Sequence, residues 1–208
     1  AETDSIFHIV AKGKSYPSYD NIFRVDDYYA SIVDKSTMLP INFVRRIEEG
    51  DYRKYDSLAF DHEQMIVHSY NGKEETSTDY ETFPIDSCAL DLLTVMFALR
   101  NVDVDKYQPG DGLDISMFID KEVYPIHVHF NKIEKKKVKD LGRYSTLLIN
   151  PQLIVGSVFK EGDEMKIWVS NDQNKVPLLI ESPISIGSVK AVLKSYKGLR
   201  HEGVLHDE

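Results

Sequence analysis

The sequence predicts a mainly β fold, a single-domain curved antiparallel sheet or open half-barrel of about twelve strands with one central helix at about 86–100. Short stretches that alternate polar and apolar residues recur along the chain, and turn residues separate them at regular spacing. One segment has helical periodicity instead. A sheet of this many twisted strands must curl, and we expect a mostly apolar helix to pack in the resulting trough.

The first half of the chain contains six predicted strands, at 5–12, 21–33, 40–48, 52–61, 64–70 and 73–78. In the second of them the alternation changes phase, so we expect a β-bulge near Asp26-Asp27. Asn71-Gly72 is the strongest hairpin signal in the chain, because a type I′ turn requires positive φ at both central positions.

The helix is predicted for residues 86–100, DSCALDLLTVMFALR, whose apolar residues fall at the spacing of one helical face. Asp86 or Ser87 can cap the first free N–H groups, and Arg100 places a positive charge at the negative end of the helix. Cys88 is the only cysteine. It lies on the predicted buried face, so we interpret it as a small buried hydrophobic residue.

The second half of the chain again reads as strands, at 113–119, 122–130, 132–140, 143–150, 155–159, 164–170, 176–182 and 184–196. We expect hairpin turns at Asp120-Lys121 and Leu141-Gly142. Residues 1–197 are predicted to form a single domain. The polar segment 198–208 is predicted to be a loose tail.

Composition excludes several classes of partner. The chain has 208 residues and a net charge of −9, and such an acidic surface repels nucleic acid and anionic lipid. No apolar segment approaches the ~18 residues that a membrane span needs, and no phosphate-binding loop or dinucleotide fingerprint indicates a cofactor. The first residue is Ala1 rather than methionine, so we expect that a preceding segment was removed.

The C-terminal third carries a recognisable pattern: G-x-x-MKIWVSND at 162–172, PL-x-IE at 177–181 and GSV-x-A-x-L at 187–193. With looser matches upstream, such as EGDYR at 49–53, the chain resembles a family of exported bacterial envelope proteins catalogued as domain of unknown function 3108. The resemblance implies a β-rich single domain and export to the periplasm or outer envelope of a Gram-negative bacterium. It implies no activity.

His127 and His129 are the best metal candidates, because the two-residue period of a strand places both imidazoles on one face. A zinc site needs at least one further ligand, for which the candidates are His62, His68, Asp114 and Glu134. This pattern gives an alternative function, a metal-dependent hydrolase. In the other interpretation the two histidines simply occupy a polar strand face, while their apolar neighbours point inward.

The leading hypothesis is a non-enzymatic protein that binds an apolar or amphipathic ligand, or an envelope partner, beside the helix. The residues expected to line such a cavity are Leu92, Leu93, Met96, Phe97 and Trp168. Trp168 can also be read as a packed structural anchor.

A structural interaction scaffold is the third alternative, with a lysine-rich segment at 132–139 as the docking site. The same lysines can instead form a solvated edge hairpin that discourages aggregation. The twelve tyrosines could stack on sugars or fill half-buried strand positions.

Overall fold

A computed structural model describes residues 5–18, 21–139, 141–152, 164–183 and 188–203. Within these ranges the chain forms twelve strands, one α-helix and one 3-10 helix, arranged as two six-stranded antiparallel sheets. The mainly β class, the antiparallel pairing and the number of strands are therefore confirmed. The strand orders are β1-β2-β3-β4-β5-β6 and β12-β11-β10-β9-β8-β7, so within each sheet consecutive strands of the sequence are paired.

The first sheet consists of β1 (Ile6–Lys14), β2 (Asp26–Asp34), β3 (Pro40–Glu49), β4 (Tyr52–Asp61), β5 (Ile66–Glu74) and β6 (Ser77–Pro84). Helix α1 (Leu92–Arg100) and a 3-10 turn (Val104–Lys106) follow. The second sheet consists of β7 (Gly112–Ile119), β8 (Glu122–Val138), β9 (Gly142–Pro151), β10 (Lys166–Ser170), β11 (Pro177–Pro183) and β12 (Ser188–Val192).

The chain divides into two compact units. Unit 1 comprises Ala1–Ala98 and Ser116–Tyr124, and unit 2 comprises Leu99–Ile115 and Pro125–Glu208. The predicted single domain over 1–197 stays a prediction. Among the described residues, no helix is both long enough and apolar enough to span a membrane.

Helix α1 begins at Leu92, so its predicted start at Asp86 is wrong. The backbone of Leu90 pairs with β7 instead, donating to the carbonyl of Ser116 (2.9 Å) and accepting from the N–H of Phe118 (2.9 Å). A residue committed to this bridge cannot also continue a helix toward the N-terminus. Cys88 precedes the helix and is exposed, so its predicted burial is also wrong.

The Asn71-Gly72 turn is not formed. Strand β5 continues through both residues, and a register shift lies between Gly72 and Glu74. A Cβ at Gly72 would lie 2.1 Å from the carbonyl oxygen of Ser77, so glycine serves a close backbone approach here and not a turn.

Three further differences concern strands. The register shift of β2 lies between Ile32 and Val33, not near residues 26–27. The two strands predicted on either side of Asn131 are one strand, β8, with an irregularity between Phe130 and Ile133. The strand predicted at 155–159 lies outside the described residues.

One face of the first sheet, here called the inner face, carries the core of unit 1. Ten buried residues form it: Ile9, Val33, Phe43, Leu58, Phe60, Val67, Ile85, Ala89, Leu93 and Phe118. Leu93 comes from α1 and Phe118 from the end of β7, so both elements cover the apolar strands. This packing removes the apolar side chains from water and is the main source of stability.

Unit 2 has smaller clusters among its described residues. Val138, Tyr144, Val176 and Leu178 form one, and Leu148, Trp168 and Leu179 form another. Leu199 packs against the first cluster. The Asn174 side chain holds the backbone of His201 through both its N–H (3.0 Å) and its carbonyl (2.9 Å). Residues 199–201 of the segment predicted as a tail are therefore anchored.

Candidate functional site

The inner face of unit 1 changes from apolar to polar within one cross-strand step. Phe43 pairs with Leu58, and both belong to the buried core. Two residues further along β3, Arg45 pairs with Tyr29 on one side and Asp56 on the other. The registry continues from Asp56 to Asn71 and then to Asp79. We call this line, Tyr29, Arg45, Asp56, Asn71 and Asp79, the polar row.

Arg45 is the centre of the polar row and is only 5% exposed. Its guanidinium donates to the carboxylates of Asp56 and Asp120. Burial lowers the pKa of Arg45, but the two carboxylates outweigh burial and raise it above its ordinary value. The buried charge is thus fully paired, which is the condition under which a buried arginine is tolerated.

The turn between β7 and β8 is held over the polar row. Asp120 and Lys121 both have positive φ, 51° and 70°, as a two-residue hairpin turn requires. Asp120 accepts from Arg45 and Lys54, and Lys121 donates to Glu81. Burial raises the pKa of Asp120, yet these cations bring it below its ordinary value. We call residues 118–121 the hairpin tip.

Only a small void lies beneath the hairpin tip. Its volume is about 10 Å³, and its lining includes both apolar and charged groups, among them Phe43, Leu58, Arg45 and Asp120. A water needs about this much space. The hairpin tip therefore covers the inner face at the point where the surface changes from apolar to polar.

An open cleft of about 460 Å³ adjoins the polar row. It is lined by Tyr52, Arg53, Lys54, Asp56, Asn71, Gly72, Lys73, Ser77 and Asp79, and we call it the hairpin cleft. Three of these side chains are cationic and two are anionic, in a chain whose net charge is −9. Locally, therefore, the surface repels an anion less than the rest of the acidic protein does.

A second cleft, of about 190 Å³, shares Arg53 and Lys73 with the first. Its other lining residues are Arg46, Ile47, Glu48, Tyr55, Glu74 and Glu75. Because Lys73 borders both clefts, it is a cation that a ligand at this end of the sheet would meet from either side.

Carboxyl groups with raised pKa values lie near the Tyr29 end of the polar row. Asp27 is 8% exposed and accepts the backbone N–H of Glu48 (3.0 Å); burial raises its pKa. Burial and the nearby Asp27 carboxylate raise the pKa of Glu49 as well. Burial, followed by the Asp27 charge, raises the pKa of Tyr29 to about 12. This end of the row therefore disfavours additional negative charge.

The sequence did not identify Asp91, which joins α1 to the sheet. Its Oδ1 accepts the backbone N–H groups of Leu93 (2.8 Å) and Thr94 (2.9 Å), which makes it the helix N-cap. Its Oδ2 accepts the hydroxyls of Ser31 (2.6 Å) and Thr94 (2.7 Å). Burial raises the pKa of Asp91 despite these bonds. The available signal was an aspartate directly before the apolar run.

The predicted cavity-lining residues divide between the two units. Leu92, Leu93, Met96 and Phe97 belong to α1 in unit 1. Leu93 is buried and Met96 is 38% exposed. The two clefts and the void described above are lined by other residues. A ligand site beside the helix therefore stays a prediction.

Trp168 belongs to unit 2 and is packed. It is 4% exposed, its indole N–H donates to Glu134 (2.7 Å), and the Lys136 ammonium lies 3.5 Å from the ring centroid. These contacts agree with the structural-anchor interpretation. The lysine-rich segment covers the C-terminal part of β8, where residues 133–138 pair with β9. β7 has eight residues and joins β8 through a two-residue turn, so it does not reach these lysines, and their position agrees with the edge interpretation.

His127 and His129 are adjacent on β8, with ring centroids 4.3 Å apart. Nδ1 of His127 lies 2.7 Å from Asp114, while its Nε2 faces Gly112 so closely that a Cβ there would approach to 2.5 Å. Among the described residues, no group of three or more His, Cys, Asp or Glu side chains has an arrangement that could hold a metal ion. The histidine site thus has no complete ligand set in this part of the chain.

Comparison with known proteins gives one match. A family model described as "Protein of unknown function (DUF3108)" matches residues 1–194. No curated protein and no solved structure matches the chain.

Proposed function

The chain belongs to the DUF3108 family of proteins of unknown function, and we propose that it is a non-enzymatic protein that binds an amphipathic ligand in unit 1. The observation that carries the proposal is the change from apolar to polar on the inner face beside an open cleft. Ligand sites typically combine an apolar surface with a few convergent polar groups.

The polar head of the ligand would lie in the hairpin cleft. Arg53, Lys54 and Lys73 supply positive charge there. Lys54 donates to Asp120, and Arg53 donates to the backbone carbonyl of Gly50. Among the described contacts of the three cations, Lys73 has the fewest within the protein, so it is the one most able to contact a ligand. An anionic or zwitterionic head fits this charge pattern better than a cationic one.

The apolar part of the ligand would extend toward Phe43 and Leu58, under the hairpin tip. The void there holds about 10 Å³, which is too small for an alkyl chain. Entry therefore requires the tip to move, and the ion pairs of Asp120 and Lys121 would have to exchange for ligand contacts. The Lys121–Glu81 pair is partly exposed and costs little to open. When Asp120 moves away, Arg45 keeps Asp56 as its counter-charge, and an anionic ligand head can replace Asp120.

Export to the periplasm or outer envelope is part of the proposal and is supported by the sequence resemblance alone. Fractionation of cells that express the complete gene product would test it. Recovery of the protein in the periplasmic or envelope fraction is the expected result, and recovery with cytoplasmic markers would contradict it.

Ligand binding can be tested with anilinonaphthalene sulfonate, an anionic aromatic probe that fluoresces in apolar surroundings. We expect the wild-type protein to bind it, dodecyl phosphate to displace it, and inorganic phosphate not to. Lys73→Ala should weaken dodecyl phosphate binding about fivefold, ~1 kcal/mol. Lys137→Ala, which removes an exposed lysine of unit 2, is the matched control and should leave the Kd unchanged.

Two results would contradict the proposal. The first is the absence of displaceable probe binding to the folded wild-type protein. The second is an equal effect of Lys73→Ala and Lys137→Ala, because an effect shared by both lysines reflects net charge and not the hairpin cleft.

A metal-dependent hydrolase is the second candidate function, and the Asp114–His127 hydrogen bond favours it. In metal sites, a carboxylate often accepts a hydrogen bond from one ring nitrogen of a histidine ligand and so fixes the orientation of the ring. Asp114 is placed to do the same for Nδ1 of His127. Metal analysis of the purified protein and its His129→Ala variant is the test. Stoichiometric metal that is lost in His129→Ala would support this function, and substoichiometric metal in the wild type would exclude it.

A further inference from the structure

The opposite face of β5 and β6 carries an exposed cluster of aromatic side chains. Tyr70 pairs directly with Tyr80, and their ring centroids are 5.0 Å apart. His68 stacks on Tyr80 with a centroid distance of 6.1 Å and an interplanar angle of 14°. Tyr70 is 46% exposed and Tyr80 is 53% exposed. We call His68, Tyr70 and Tyr80 the aromatic platform.

A hydrogen bond organises the platform. Nδ1 of His68 lies 2.7 Å from the hydroxyl of Tyr80, so the two rings are held in one orientation. Nε2 is the ring nitrogen that this bond does not use. A fixed pair of rings loses little conformational entropy when a ligand stacks on it, which is the advantage of a preorganised site.

Small side chains leave space beside the rings. Ser57 on β4 pairs with Tyr70, and Ala59 pairs with His68. On the other side, β6 is the last strand of its sheet, and Thr82 pairs with His68 there. The rings therefore project above the short side chains of β4. A ligand can reach them from the side of the edge strand β6.

The surroundings of the platform are neutral. The cross-strand row from Val44 to Ser57 to Tyr70 to Tyr80 contains no charged residue. The adjacent row, from His8 and Ile32 through Asn42, Ala59 and His68 to Thr82, also contains no permanently charged residue. In a chain with 28% charged residues, this pattern argues against a phosphate-bearing or strongly ionic ligand.

We propose that the aromatic platform is a binding site for neutral pyranose saccharides. The apolar C–H face of a pyranose stacks on exposed aromatic rings, while its hydroxyls need nearby hydrogen-bonding groups. His68, Ser57 and Thr82 provide such groups around the rings. The side chains next to the rings in the two rows are Ser57, Ala59 and Thr82, which offer little apolar area to a protein partner.

The site is separate from the one proposed for the amphipathic ligand. Tyr70 lies between Ser69 and Asn71 in sequence, and neighbouring side chains on a strand point to opposite faces. Ser69 lines the void under the hairpin tip, and Asn71 belongs to the polar row. Saccharide binding at the platform therefore does not depend on ligand binding on the inner face.

The test is saturation-transfer NMR with chitotriose, cellotriose and maltotriose on the full chain. We expect at least one of the three to bind with a Kd of about 1 mM, as befits a shallow site. Tyr70→Ala and Tyr80→Ala should each weaken binding about three- to tenfold. Tyr80→Phe keeps the ring but loses the hydrogen bond to His68, so it should weaken binding by only about twofold. Tyr16→Ala removes a tyrosine that is 63% exposed in a loop and serves as the control.

The proposal is overturned if none of the three saccharides binds at about 10 mM, ten times the expected Kd. It is also overturned if Tyr16→Ala weakens binding as much as Tyr80→Ala does. A third overturning result is self-association of the wild type that Tyr80→Ala abolishes, without saccharide binding, since the face would then be a protein interface. Unfolding midpoints of all variants confirm that the fold is retained.

Discussion

The two units bury their polar side chains in different ways. Unit 1 buries ionisable groups, Asp27, Arg45, Asp56 and Asp91, besides the hydroxyl groups of Ser31, Ser69 and Thr94. Among its described residues, unit 2 buries neutral polar groups, Thr146, Asn150, Ser170 and Asn174. Two antiparallel sheets of the same chain therefore differ in whether their buried polar side chains include ionisable groups.

The difference determines how much free energy of unfolding each unit loses when a partner of a buried polar group is removed. A neutral amide such as Asn150 needs only ordinary partners, and it donates to the carbonyl of Met165 (2.9 Å). A buried charge such as that of Arg45 needs specific counter-charges, and losing one leaves the other uncompensated. In unit 1, Arg45 and its counter-charges lie where the inner face becomes polar, beside the hairpin cleft.

Arg45→Ala should have the largest effect. It leaves the Asp56 carboxylate buried without its guanidinium partner, and breaking a buried pair in this way costs about 3–5 kcal/mol. Urea unfolding measures the loss. Arg46→Ala, which removes the neighbouring and more exposed arginine, should cost about 0–1 kcal/mol. Equal losses in the two variants would show that the buried cluster has no special role.

Asp91→Ala should reduce the free energy of unfolding by about 2–4 kcal/mol. It removes the N-cap of α1 and takes the shared carboxylate acceptor from the buried hydroxyls of Ser31 and Thr94, which then have only each other. Asp86→Ala is the comparison, since Asp86 is exposed and is one of the two caps, with Ser87, that the sequence predicted. If Asp86→Ala proved the more damaging of the two, the helix start at Leu92 would be in doubt.

Asn174→Ala should cost about 1–2 kcal/mol, because two hydrogen bonds to the His201 backbone are lost but no charge is left behind. The exposed Asn171 gives the control variant Asn171→Ala, for which we expect about 0–0.5 kcal/mol. A loss in Asn174→Ala as large as that in Arg45→Ala would remove the distinction between the two units.

The dependence of stability on pH should have opposite signs at Asp27 and Glu134. Burial raises the folded-state pKa of Asp27, so ionised Asp27 costs stability as pH rises from about 3.8 through that raised pKa. Asp27→Asn should therefore gain stability relative to wild type over this interval. The indole of Trp168 and the Lys132 ammonium lower the pKa of Glu134.

Glu134→Gln should accordingly lose stability relative to wild type above pH about 4.5, and the loss should disappear as pH falls through the lowered pKa. Thermal unfolding of both variants between pH 3 and 7 tests the pair. If the stability difference between variant and wild type changed with pH in the same direction for both variants, the raised pKa of Asp27 and the lowered pKa of Glu134 could not both be correct.

The sequence predicted elements that depend on local pattern. Alternation identified most of the strands, and the Asp120-Lys121 turn was predicted because only these two residues separate the strand-like segments 113–119 and 122–130. Failures occurred where a distant contact decides the conformation. Residues 86–90 are compatible with a helix, but Leu90 pairs with β7, and Gly72 is required by the backbone of Ser77. Such contacts leave no periodic signal.

The candidate site was harder to predict than the fold. The polar row combines residues of five strands through cross-strand register, and Asp120 joins from the hairpin tip. Each residue taken alone is an ordinary charged or polar strand residue. Sequence reasoning instead favoured close spacings, such as His127 and His129. Sites assembled by register are invisible until pairing is known.

The most direct test of binding on the inner face of unit 1 is an amide NMR titration of the full chain with monomeric dodecyl phosphate. We expect the largest shift changes at the hairpin cleft, in residues 52–56 and 71–79, and at the hairpin tip, residues 118–121. Changes confined to unit 2, or no changes while the protein stays folded, would contradict the account.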